Sequence, residues 1–147
     1  MTLLDSPPPE GAFIVTSWYR VLYVDTDVMG VVNNANYFRF FEMARGEYLR
    51  KLNFPYALVE ENGIRTPLTE AYAHFFQSFH YDDLIRLEAW ISQIKKASFR
   101  FEYRLYLENE SELRVVGRTQ HATVNLENKV VKIPQWLLSV IHFNQKD

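Results

Sequence analysis

The residues best equipped for chemistry lie in one short stretch, Tyr23 to Tyr37, which reads YVDTDVMGVVNNANY. It holds two carboxylates, Asp25 and Asp27, one glycine, Gly30, and three amides, Asn33, Asn34 and Asn36. It runs directly into a segment with helical periodicity. A helix N-terminus carries free backbone N–H groups and partial positive charge, so it can hold a developing oxyanion. A carboxylate beside it can attack a carbonyl or activate water. Gly30 permits a positive φ or a close backbone approach. A second reading is open from these residues alone: Asp25 and Asp27 form turns, and Asn34 or Asn36 caps the helix.

Other chemistries find little support. There is no cysteine, which excludes a disulfide scaffold, thiolate metal sites and a thiol nucleophile. No G-x-S-x-G elbow, G-x-G-x-x-G or Walker A pattern occurs. The four histidines, His74, His80, His121 and His142, form no H-x-x-x-H pair, so no metal site is expected. His74 stands out among them because it falls in the first long strand after the helix. The formal charge of −2 argues against nucleic-acid binding through bulk electrostatics.

The elements that must position these residues follow from periodicity. Residues 17–25 read as a strand. Over 36–51, Tyr37, Phe41, Ala44 and Tyr48 repeat at helical spacing, and Phe38, Phe40 and Leu49 widen the apolar stripe to nearly all round. A helix so loaded suits the inside of a curved sheet. Asn53-Phe54-Pro55 ends it, and 56–63 reads as a linker. The period then becomes two: strands are expected over 66–79, 84–95, 98–108 and 113–126. Ile85, Leu87, Ala89 and Ile91 share one face, as do Phe99, Phe101, Tyr103 and Leu105. Pro134 suits the first turn of a short terminal helix with Trp136, Leu137, Val140 and Ile141 apolar. The chain of 147 residues fits a lead-in over 1–15, stiffened by Pro7, Pro8 and Pro9, and one domain over 16–147. One helix cannot cover both faces of such a sheet, so oligomerisation is expected. No leader is evident, and no run approaches the ~20 apolar residues of a spanning helix, so a cytoplasmic location is expected.

The string Y-x-D-T-D-x-x-G-V-V-x-x-A-N-Y-x-R-F-F-E-x-A-R, from Tyr23 to Arg45, resembles the hotdog-fold acyl-CoA thioesterases of the 4-hydroxybenzoyl-CoA thioesterase and YbgC-like branch. Thr66-Pro67-Leu68 with Phe79-His80-Tyr81-Asp82-Asp83-Leu84, and Ile94 through Phe99, agree with it independently. The resemblance implies an α+β hotdog fold: a curved antiparallel sheet of five to six strands wrapped around one long central helix. It implies homodimers that pair into homotetramers, with active sites between subunits. It implies that Asp27 is the catalytic carboxylate, as nucleophile or general base, and that the Asn34 N–H polarises the thioester carbonyl. Gly30, Val31 and Val32 shape the substrate loop, and Tyr37 and Glu42 match positions near the site. Lys95 and Lys96 match basic residues that meet the coenzyme A phosphates, as lysines can; read by themselves they are an ordinary solvated pair. Many YbgC-like members have Tyr-His where this chain has Asn33-Asn34, which shifts the expected substrate range. No cofactor is implied, since coenzyme A is part of the substrate. The partner would be an acyl-CoA or acyl-carrier-protein thioester. The competing readings are an acyl-binding hotdog protein and a carrier-bound acyl dehydratase; the latter is disfavoured because the helix and its approach loop hold no histidine.

Overall fold

The computed structural model describes residues 7–143; the first six residues of the expected lead-in and the last four of the expected domain lie outside the described residues. The elements are β1 (Val15–Arg20), α1 (Asn36–Lys51), α2 (Tyr56–Glu61), β2 (Leu68–Phe75), β3 (Leu84–Ile94), β4 (Ser98–Leu107), β5 (Val115–Ala122) and α3 (Gln135–Phe143). The five strands pair antiparallel throughout in the order β1-β3-β4-β5-β2. α1 packs against both edge strands as well as the central β3 and β4, which requires the sheet to curve around it. This is the architecture that the resemblance implies.

The two periodicities meet in the core. Tyr37, Phe41, Ala44 and Tyr48 are buried, and so are Ile85, Leu87, Ala89, Ile91, Phe99, Phe101, Tyr103 and Leu105. Phe41 stacks flat on Tyr103 with centroids 4.5 Å apart, and Tyr48 meets Phe101 edge-on at 5.1 Å. Phe41 lies so close to β5 that a Cβ on Gly117 would stand 2.2 Å from its ring. The helix reaches the sheet there only because position 117 has no side chain. Phe38 is the exception to the all-round apolar helix, being exposed.

The outer face of the sheet is charged but ordered. Arg118 binds Glu102 at 2.7 Å, Ser92 donates to the same carboxylate at 2.7 Å, and Arg104 lies over the Trp90 ring at 5.3 Å. Trp90, expected on the polar face, is there and is buried.

Several expected boundaries are corrected. The strand expected over 17–25 stops at Arg20, and Tyr23–Asp25 form a 3₁₀ turn because the Asp25 carboxylate captures the Leu22 N–H at 2.8 Å. The strand expected over 66–79 spans Leu68–Phe75: the N–H groups of Phe76 and Gln77 both turn to the Arg114 carbonyl and leave the ladder. The strand expected over 113–126 is shortened to Val115–Ala122, with Thr123 N–H bonded instead to Ala97. The linker 56–63 contains α2, started by Pro55 at its N-cap.

Candidate active site

The segment after β1 folds back on itself as a small hairpin. Thr26 pairs with Val32, and Val31 pairs in turn with His80. The Asp27 N–H donates to the Val31 carbonyl at 2.9 Å, and the Gly30 N–H to the Asp27 carbonyl at 3.0 Å. Gly30 sits at φ +79°, with nothing within 4 Å of where a Cβ would be. Backbone conformation, rather than space, therefore requires glycine here. The Asp27 carboxylate is half-buried, and its Oδ1 accepts the Met29 N–H at 2.8 Å. Its Oδ2 has no partner among the described residues. One oxygen fixes the carboxylate while the other stays free to act.

Asp25, two residues earlier, has the opposite character. It is fully buried. Oδ2 accepts from the Tyr19 hydroxyl at 2.7 Å and from the Leu22 N–H at 2.8 Å, and Oδ1 pairs with Arg39. Its backbone carbonyl accepts the Asn33 N–H at 2.9 Å and the Asn36 side-chain amide at 2.8 Å. Asp25 thus ties the end of β1, the far side of the hairpin and the first turns of α1 to one point. In the sequence Asp25 reads as a second available carboxylate or a turn former, and Arg39 goes unnoticed. The available signal was a lone arginine on an otherwise apolar helix stretch.

Neither Asn34 nor Asn36 caps α1. Ala35 occupies the cap position without a side-chain bond, because the Asn36 amide is engaged with Asp25 and the Asn33 Oδ1 accepts the Ala35 N–H at 3.0 Å. The backbone N–H of Asn34 has no partner among the described residues. It lies at the positive end of a 16-residue helix, seven residues along the chain from Asp27. A free carboxylate oxygen and a free N–H at a helix N-terminus form the minimal apparatus for attack on a carbonyl and capture of the resulting oxyanion.

The remaining predicted residues are distributed unevenly. Val32 is buried, and its N–H donates to the Phe79 carbonyl at 2.9 Å. Tyr37 is 2% exposed, and its hydroxyl accepts the Phe79 N–H at 3.4 Å, so it braces the hairpin from below. Burial raises its pKa. Glu42 is exposed on α1 and lines a groove of about 1260 Å³ between α1, β1 and residues 65–68. It forms no ion pair with Arg45. Lys95 and Lys96 are exposed in the β3–β4 turn, where Lys95 N–H donates to Ser98 at 2.8 Å. That turn is at the opposite end of β3 from the hairpin, on the order of 30 Å away at ~3.3 Å per residue. One chain does not bring Asp27 and the two lysines together. His74 is half-buried in β2, with its ring 4.5 Å from Phe76.

Beneath the groove runs a polar chain that the sequence did not reveal. Arg45 donates through Nε to the Tyr56 hydroxyl at 3.1 Å and through Nη1 to the Tyr103 hydroxyl at 3.2 Å. Tyr103 and Thr119 are 2.6 Å apart, Thr119 and His121 Nε2 2.9 Å, and His121 Nδ1 and the Thr66 carbonyl 3.1 Å. A carbonyl only accepts, so Nδ1 carries the imidazole proton and Nε2 accepts from Thr119. Thr119 must then accept from Tyr103, which accepts from Arg45. Burial, followed by the Arg45 charge, pushes the His121 pKa down to about 4, in keeping with a neutral ring. Burial likewise pushes the Tyr103 hydroxyl well up, keeping it a donor.

The sequence profile of the thioesterase-like superfamily matches residues 21–141, from the end of β1 to α3. The chain belongs to the thioesterase-like superfamily. Within it, the acyl-CoA thioesterase YbgC of Haemophilus influenzae is 42% identical over 87 residues, 58% of this chain and 64% of the relative. The 1,4-dihydroxy-2-naphthoyl-CoA hydrolase of Thermosynechococcus vestitus is 31% identical over 126 residues, 81% of this chain and 85% of the relative. A crystal structure of an Aquifex aeolicus protein superposes with a TM-score of 0.81 at 32% identity, covering 86% of this chain and 98% of that one. The superfamily match includes the whole Asp27 hairpin, α1 and the Lys95–Lys96 turn.

Proposed function

We propose that the protein hydrolyses acyl-CoA thioesters to a carboxylic acid and free coenzyme A. The observation that carries this is the free Asp27 Oδ2 on the hairpin that leads directly to the unpartnered Asn34 N–H, just before α1. The names of the superfamily relatives support the substrate class. Asp27 attacks the thioester carbonyl to form a mixed anhydride, or takes a proton from the water that attacks it. In either case the carbonyl oxygen gains negative charge, which the Asn34 N–H and the α1 dipole stabilise. The C–S bond then breaks and coenzyme A leaves as its thiolate; in the first case water cleaves the anhydride and regenerates Asp27. No further cofactor is required. Asp27→Asn is expected to lower kcat by about 10²–10⁴-fold, the range of a lost acid–base or nucleophilic group. Wild-type turnover in a folded Asp27→Asn protein, assayed across acyl-CoA thioesters, would sink the assignment.

The separation of Asp27 from Lys95 and Lys96 within one chain supports an active site completed by a second copy. In this reading Gly30, Val31, Val32, Tyr37 and Glu42 shape the acyl end, and the lysines of a partner meet the nucleotide phosphates. The protein works in the cytoplasm as a homodimer, which pairs into a homotetramer. β2 offers a free edge for such pairing, with β5 on its other side and Leu68, Tyr72 and Phe75 exposed. Lys95→Ala with Lys96→Ala should raise KM for acyl-CoA several-fold and leave KM for the same acyl-pantetheine unchanged. Solution mass measurement gives the assembly.

A further inference from the structure

Arg45 is 9% exposed, yet no carboxylate among the described residues pairs with it. Burying a cation without an anion is costly, and buried arginines are ordinarily paired. Its partners are the neutral hydroxyls of Tyr56 and Tyr103. These occupy two of the five N–H donors that a guanidinium carries. Nη2 has no partner among the described residues and keeps access to the groove, whose floor Arg45 helps to form. The other groove cations differ. Arg50 pairs with Glu47, and Lys51 and Arg65 are exposed.

The polar chain behind Arg45 explains how it is held. Every link from Arg45 to the Thr66 carbonyl is donated in one direction. Tyr103, Thr119 and His121 are all neutral in this chain, so they orient the guanidinium without balancing its charge. The fork is therefore fixed from behind, with its free edge toward the groove, the arrangement suited to a planar oxyanion.

We propose that Arg45 is a receptor for an oxyanion of the substrate, either a carboxylate at the far end of the acyl group or a phosphate of the carrier. This rests on the thioester-hydrolysis reading only for which molecule supplies the oxyanion; the binding site itself does not depend on turnover. A ligand anion here gains charge-assisted bonds in a partly desolvated setting, and substrates lacking one forfeit them.

The test uses wild type, Arg45→Met and Arg45→Lys as full chains, with thermal melts to establish folding. Calorimetric titration with glutarate and with inorganic phosphate reads the site without chemistry. Binding of at least one probe should weaken by about 10–100-fold in Arg45→Met, the equivalent of one charge-assisted contact. Arg45→Lys should fall between, since it keeps the charge and loses the fork. Kinetics then separate the sources. If the acyl group supplies the oxyanion, Arg45→Met abolishes a preference for glutaryl-CoA over pentanoyl-CoA. If the carrier supplies it, the variant lowers the preference for acyl-CoA over acyl-pantetheine and leaves the glutaryl-CoA to pentanoyl-CoA ratio unchanged. Loss of probe binding in Arg45→Met with no thioester turned over by wild type would uphold the receptor and reject the hydrolase reading. Unchanged affinity for both probes in folded Arg45→Met, including the case where only subunit association weakens, would overturn the proposal. So would unchanged affinity in Arg45→Lys, should the Met variant not fold.

Discussion

Asp25 and Arg39, fourteen residues apart, close a charged clasp between the end of the 3₁₀ turn and the first turns of α1. The carboxylate is wholly buried while the guanidinium stays partly in solvent. The clasp sets the angle at which the hairpin carrying Asp27 meets the helix N-terminus carrying Asn34. It serves geometry, whereas the Asp27 Oδ2 has no partner among the described residues.

Asp25→Ala should therefore destabilise the fold. It removes the acceptor shared by the half-buried Tyr19 hydroxyl and the Leu22 N–H, and the partner of Arg39, at about 0.5–1.5 kcal/mol for each hydrogen bond lost. Chemical denaturation measures the loss. Asp27→Asn, whose carboxylate bonds only Met29, should unfold within about 0.5 kcal/mol of wild type. Equal destabilisation by the two substitutions would contradict the division of labour.

At Asn34 the backbone should matter and the side chain should not. Asn34→Ala retains the N–H and is expected to keep kcat close to wild type. Asn34→Pro removes the N–H while keeping the carbonyl that accepts from Tyr37. Its kcat should fall by about 10²–10³-fold, the usual loss for one oxyanion donor. Thermal melts alongside the kinetics separate this from misfolding.

Gly117 and Phe41 should show strong coupling. A methyl group at 117 collides with the Phe41 ring, so Gly117→Ala should cost about 1–3 kcal/mol or more by overpacking. Phe41→Leu, destabilising alone, should partly relieve the clash. A double-mutant cycle in urea tests this, and additive losses would show that the ring moves aside freely.

The buried imidazole makes stability depend on pH. His121 titrates near 4 in the folded chain, below its usual value of 6.5. Between those values the unfolded chain binds the extra proton, so stability is complete above about pH 6.5 and declines as pH falls toward 4. The decline attributable to this group is about 3 kcal/mol, since each tenfold change in proton affinity is worth ~1.4 kcal/mol. Urea melts from pH 7 to pH 4 should show it, and His121→Gln should lose that part of the slope.

The linear order of residues was enough for the helix, most of the sheet and the loop that joins β1 to α1. Tyr37, Phe41, Ala44 and Tyr48 announce a helix through spacing, and Phe99 to Leu105 announce a strand, because burial on one face repeats with the backbone period. These are local patterns, and the four buried helix positions match them. The end of β1 was not legible in the same way. Tyr23 and Val24 have strand-like side chains, but a carboxylate at Asp25 takes the Leu22 N–H out of the ladder. No window of propensities contains that competition.

Tertiary structure alone decided which aspartate is buried and which is free. The two are separated by one threonine and look alike in sequence; Arg39, Tyr19 and Asn36 converge on only one of them. It also decided that Arg45 has no carboxylate, since Glu42, one turn away on the same helix, does not pair with it and Tyr56 and Tyr103 do. Charge pairing and burial depend on distances between residues far apart in the chain, and those distances exist only after the sheet has closed around α1. The sequence by itself determined the helix, the strands and the loop where chemistry is available; folding determined which groups in that loop and beneath the groove are spent on structure and which remain to meet a substrate.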